Sequence, residues 1–131
     1  MGDVDFLVGV SVDAIHYSAP SKLRIVFELG DRVEPALYVD VGDSVFFEAD
    51  DRAHQIDPID PTSVGPVLGV VGKQVERADT DGGALSLAFA DGSRIQCKPH
   101  EDYEAWQVVG GSPQHLVVCM PGGEVAVWEH G

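Results

Sequence analysis

The apolar residues of this chain recur with a period of two, in short bursts cut by Gly, Pro and Asp. Leu23, Ile25, Phe27 and Leu29 alternate with Arg24, Val26 and Glu28, which predicts a strand with one apolar face. Leu85, Leu87 and Phe89 repeat that pattern. Further strands are expected at 6–17, 32–40 (with Pro35 at an edge or entry), 44–49, 73–79, 93–98, 105–109, 116–120 and 124–129. Turns separate them at 18–21, Gly30-Asp31, Gly42-Asp43, Thr80-Asp81-Gly82-Gly83, Asp91-Gly92, 110–113 and Pro121-Gly122-Gly123. The prediction is a mainly β protein of nine or ten strands, mostly antiparallel.

The two alternating strands belong to a longer echo. LRIVFELGDR (23–32) and LSLAFADGSR (85–94) share Leu-x-x-x-Phe-x-x-Gly-x-Arg at an offset of 62 positions. Upstream, Gly9-x-x-Val12 is echoed by Gly72-x-x-Val75 at an offset of 63. We therefore expect two related antiparallel β-meander units, an internal duplication, packed together or joined edge to edge in one domain spanning 1–131. The first repeat covers 6–49 and the second 72–131. Residues 50–71 read as a linker: prolines and aspartates dominate 50–66, and Thr62 or Ser63 would cap at most one short helix near 63–71.

From about Ile59 onward the chain resembles a family of small, mainly actinobacterial proteins of unknown function. GPVLGVVGKQV (65–75), LSLAFADGSRI (85–95), YEAWQVVG (103–110) and CMPGGEVAVW (119–128) carry the likeness. The resemblance implies a fold boundary and no activity.

Charge narrows the choice of partner. The chain holds 22 acidic against 8 basic residues, for a net charge of −14. Such a surface repels phosphate backbones, so no nucleic acid is expected as a partner. It attracts a basic protein and speeds encounter with it. The N-terminus has no basic region followed by an apolar run, no stretch is long enough for a membrane helix, and the two cysteines need no oxidising compartment. The expectation is a cytoplasmic protein with no membrane contact.

Candidate chemistry is sparse. Tyr103-Glu104-Ala105-Trp106 is the most distinctive motif. Glu104 could serve as a base beside two aromatics that bind a ligand, or it could pair with Arg94 while an aromatic fills the core. Cys97, His100, His115 and Cys119 have the composition of a zinc set. On a strand, however, His115 and Cys119 would stand roughly 13 Å apart, and cysteines in apolar strands are commonly buried hydrophobes. No metal or other cofactor is therefore expected. Pro121-Gly122-Gly123 lacks the Lys and following helix of a phosphate loop, and no nucleophile–base motif is present.

These observations favour a non-enzymatic acidic protein-binding module. An immunity or antitoxin-like protein that neutralises a basic, nuclease-type toxin fits that description. Contact candidates are Asp50, Asp51, Asp57, Asp60, Glu101, Asp102 and Glu104. The alternatives are a small-molecule- or metal-binding protein or enzyme using Tyr103, Glu104, Trp106 and Arg94, and a self-associating structural module that pairs through exposed strand edges as a homodimer.

Overall fold

A computed structural model describes residues 3–18, 22–28, 37–41, 45–57, 59–110 and 114–130. Among the described residues, eleven strands form two antiparallel sheets around one core. In the first half they are β1 (Ser11–Ser18), β2 (Lys22–Glu28), β3 (Leu37–Val41), β4 (Val45–Ala49) and β5 (Arg52–Ile56). The second half supplies β6 (Val75–Asp81), β7 (Ala84–Phe89), β8 (Arg94–Cys97), β9 (Trp106–Gly110), β10 (Gln114–Cys119) and β11 (Val125–His130). The mainly β prediction holds. The expected turns at 19–21, 30–31, 42–43 and 111–113, together with Pro35 and Arg32, lie outside the described residues.

The halves do not build separate meanders. One sheet runs β1-β2-β3-β9-β10-β11 and the other β5-β4-β8-β7-β6. The first half sends β1, β2 and β3 to one sheet and β4 and β5 to the other; the second half sends β6, β7 and β8 to the latter and β9, β10 and β11 to the former, so that β3 pairs with β9 and β8 with β4. The two halves share this pattern apart from β11, which has no counterpart among the described residues of the first half. Register shifts recur at equivalent places, Val12/Ala14 in β1 and Val75/Arg77 in β6. The backbone bonds joining the halves are reciprocal: Gly9 N donates to Val75 O and Gly72 N to Val12 O, both at 2.8 Å. Gly9 and Gly72 have φ of +94° and +86°, a conformation glycine adopts without penalty.

Alternation explains the core. Leu85, Leu87 and Phe89 on β7 and Leu23, Ile25 and Phe27 on β2 are buried, as their period predicts. Two 3₁₀ segments pack against the sheets, η1 (Asp5–Leu7) on β6 and η2 (Pro61–Val70) on β1 and β5. On η2 the buried residues Val64, Val67 and Val70 are three apart, which makes one stripe at 3.0 residues per turn. Asp60 caps η2, its carboxylate accepting from Thr62 N at 3.0 Å. Valine and glycine are poor α-formers, consistent with the tighter helix.

Two expectations need correction. Residues 6–17 do not form one strand: Asp5–Leu7 is 3₁₀ and β1 begins at Ser11. The region expected as a linker contains β5, a strand missed because its turn lacks glycine. The β4–β5 hairpin closes over Asp50 and Asp51, with Ala49 paired to Arg52. Both aspartates have positive φ, 52° and 62°, the left-handed geometry that a two-residue hairpin of this type requires.

Candidate functional site

Strand register sorts the acidic residues into two groups. Val45 lies opposite both Ile56 and Cys97, and Leu85 lies opposite Cys97. The exit of β5, the β8–β9 connection and the β6–β7 turn therefore share one end of the sandwich. Gly122 N donates to His100 O at 2.9 Å and brings the β10–β11 turn to the same end. The exposed acids there are Asp57, Asp81, Glu101, Asp102, Glu104 and Glu124. The basic residue on these segments is Lys98, whose ammonium sits 4.6 Å from the Phe46 ring centroid.

Asp50 and Asp51 lie at the opposite end, on the β4–β5 hairpin, where β4 meets Arg94 rather than Cys97. The seven acids expected to act together are thus divided. Asp57 and Asp60 also have local work. The Asp57 carboxylate accepts from Ile59 N at 3.0 Å, and that of Asp60 from Thr62 N and Oγ1 at 3.0 and 2.6 Å.

The Tyr103–Trp106 motif is split as well. Trp106 is buried and its Nε1–H donates to Gly83 O at 2.9 Å, while Cys119 Sγ–H donates to the same oxygen at 3.2 Å. Tyr103 is 56% exposed and stacks on His100, with ring centroids 3.9 Å apart. His100 Nδ1 accepts from Asp102 N at 3.0 Å. Glu104 is exposed, and Arg94 bonds not to it but to Glu48, at 3.1 Å across the β4–β8 pair. A strand neighbour from the other half of the chain takes the place of the nearby acid.

The zinc alternative is not supported: among the described residues no group of three or more His, Cys, Asp or Glu is placed to hold a metal ion. The four candidates are engaged elsewhere. His115 stacks on Phe6 at 4.0 Å, His100 is held as above, and Cys97 and Cys119 are buried. Burial pushes the Cys97 thiol up to about 12, with a smaller contribution from nearby Cys119, and burial raises that of Cys119 too. Both thiols stay protonated near neutral pH and are poor ligands and nucleophiles.

Two features were not expected from the sequence. On the outer face of the six-stranded sheet, Arg24 donates to the Asp40 carboxylate through Nε at 2.6 Å and Nη2 at 3.0 Å. Gln107 Nε2 adds a bond at 3.2 Å. Hydrogen bonding to Asp40 raises the Arg24 pKa. These groups come from three strands, and only their register unites them. The second feature is a groove of about 590 Å³ between the β4–β5 hairpin, η2 and the β7–β8 turn, lined by Phe47, Arg52, His54, Pro66, Gly69 and Ser93, with Asp50 and Asp91. Asp91 is held down to about 2, first by the Ser93 hydroxyl, then by Ser93 N–H and Lys73. No described helix is long and apolar enough to cross a membrane.

The sequence profile of a family of unknown function, DUF6188, matches residues 24–129. The chain belongs to that family. Neither a curated protein nor a solved structure matches it.

Proposed function

We propose that this DUF6188 member is a non-enzymatic protein-binding module that docks a basic partner through the acidic end of its sandwich. The observation that carries the reading is the convergence of Asp57, Asp81, Glu101, Asp102, Glu104 and Glu124 from four separate segments onto that end, with Lys98 as the basic residue on those segments. Exposed like charges on turns repel one another in the free protein. An opposing cationic surface relieves that repulsion and steers encounter over roughly a Debye length, about 8 Å at physiological salt. A nuclease-type toxin has such a surface, because its cleft is built for phosphate. An immunity or antitoxin-like role in the cytoplasm is the form of the reading that we favour. We also infer that the two halves descend from one duplicated unit. The shared strand pairing, bulge positions and reciprocal glycine bonds support that inference.

The test is capture of the partner at low salt, followed by association kinetics across an ionic-strength series. The on-rate should fall steeply with added salt. The combined variant Glu101→Gln, Asp102→Asn, Glu104→Gln should slow association by roughly tenfold or more at low salt and leave dissociation little changed. An on-rate independent of salt, or unaffected by the triple variant, would overturn the proposal.

A further inference from the structure

At the junction of the two halves, positions 63 apart make matching contacts. Val4 and Leu7 are buried under η1 as Val67 and Val70 are under η2, again at an offset of 63. Val8 N donates to Asp5 O at 3.1 Å, and Val71 N to Leu68 O at 3.2 Å. Val12 N donates to Lys73 O and Val75 N to Val10 O, at 2.9 and 2.8 Å. In the sheets, Ile95 pairs with Phe47 and Phe47 with His54, as Val39 pairs with Val108 and Val108 with Val117. His54 therefore occupies the place of Val117. Two residues earlier on the same face, Arg52 occupies the place of His115.

At the first of these equivalent corners, Phe6 lies flat on His115, with ring centroids 4.0 Å apart and planes 9° from parallel. The position equivalent to Phe6 is Gly69. It lines the same groove as Arg52, and a Cβ built on Gly69 would meet nothing within 4 Å. The fold thus has two seats for a stacked ring. One is filled from within the chain and the other is open, with a planar guanidinium in place of the imidazole. Phe47 and His54 supply a further aromatic wall, their centroids 6.3 Å apart. The groove volume lies within the range of about 300–1,000 Å³ usual for small-molecule sites, and about 150 Å³ already suffices for benzene.

We propose that the groove between Gly69 and Arg52 binds a planar aromatic ring of a small molecule, stacked on Arg52 in the way Phe6 is stacked on His115. A flat ring gains from stacking on Arg52 and from contact with His54, whereas a puckered one of similar size does not. The site lies at the end of the sheet opposite the acidic turns, so it stands or falls independently of the partner proposed above.

The experiment is amide NMR of the whole chain titrated with indole and, separately, with cyclohexanol. Indole should give saturable shifts at Arg52, His54 and Gly69, and cyclohexanol should give none at the same concentration. Gly69→Phe carries its own ring into the seat and should abolish the indole response. Arg52→Ala should weaken it by roughly threefold or more. Absence of saturable shifts at these amides, an equal response to cyclohexanol, or full binding by Gly69→Phe would overturn the proposal. If Gly69→Phe does not fold, unchanged affinity in Arg52→Ala would overturn it.

Discussion

Phe6 covers His115 at one corner of this protein, and at the equivalent corner Gly69 leaves Arg52 in the open. Both corners combine a 3₁₀ segment, a left-handed glycine and a bulged strand, and reciprocal hydrogen bonds join them. The frame and the surface are therefore specified separately. Buried valines and leucines at alternating positions hold both halves in one arrangement. One side chain per corner then decides whether a seat is closed or available.

The comparison breaks most visibly if the two halves do not share the load. Ile25 and Leu87 are equivalent, both buried, and each pairs with a core residue of the adjacent strand. Ile25→Ala and Leu87→Ala should each cost about 2–5 kcal/mol in denaturant unfolding. The two losses should agree within about 1 kcal/mol, and the transition should remain single. Two separate transitions would mean that the halves unfold independently, contrary to their exchanged strands.

Glycine substitutions at the junction have a smaller effect. Gly9 and Gly72 have positive φ and open space around a Cβ, so Gly9→Ala and Gly72→Ala should cost about 1–2 kcal/mol each and be alike. Gly83 also has positive φ, but a Cβ there would stand 2.4 Å from Gly123 O. It lies between two turns of the second half, and its carbonyl holds Trp106 and Cys119. Gly83→Ala should therefore exceed both, at more than about 2 kcal/mol. Equal midpoints for all three variants would contradict the close approach of the turns.

The smallest effect concerns pH. Asp91 is held at about 2, against an ordinary carboxylate value of 3.8. Its folded value is depressed, so the stabilisation is present above pH 3.8 and is lost as pH falls from there toward 2. The group is well exposed and screened by solvent, which limits the effect to under about 1 kcal/mol. Asp91→Asn should flatten that part of the stability–pH curve while leaving the curve above pH 5 unchanged in shape. An unaltered slope between pH 4 and 2 would show that Asp91 does not carry it.

Much of the fold could be read directly along the chain. The alternation at Leu85, Leu87 and Phe89 marked a one-faced strand. Asp91-Gly92 marked its turn, and Gly9 and Gly72 marked matching positions in the two halves. These signals are local: a period of two, and a glycine where φ is positive. β5 was missed because its turn uses Asp50-Asp51, and aspartate reaches left-handed geometry without the glycine that would have announced it. The site was legible only in part. The acids were visible, but their division between opposite ends was not.

What the sequence determined by itself was the class of the protein: strands with one apolar face, spaced turns, a strong negative charge and a repeated pattern. These follow from side-chain chemistry and neighbours a few residues apart. Tertiary structure decided which strands met. It put β3 beside β9 and β4 beside β8, turned Arg94 toward Glu48, joined Arg24 and Gln107 to Asp40, and brought Gly69 and Arg52 to one groove. Each of those pairings spans many residues, and only the folded chain, through strand register and the packing of η2, brings the partners together.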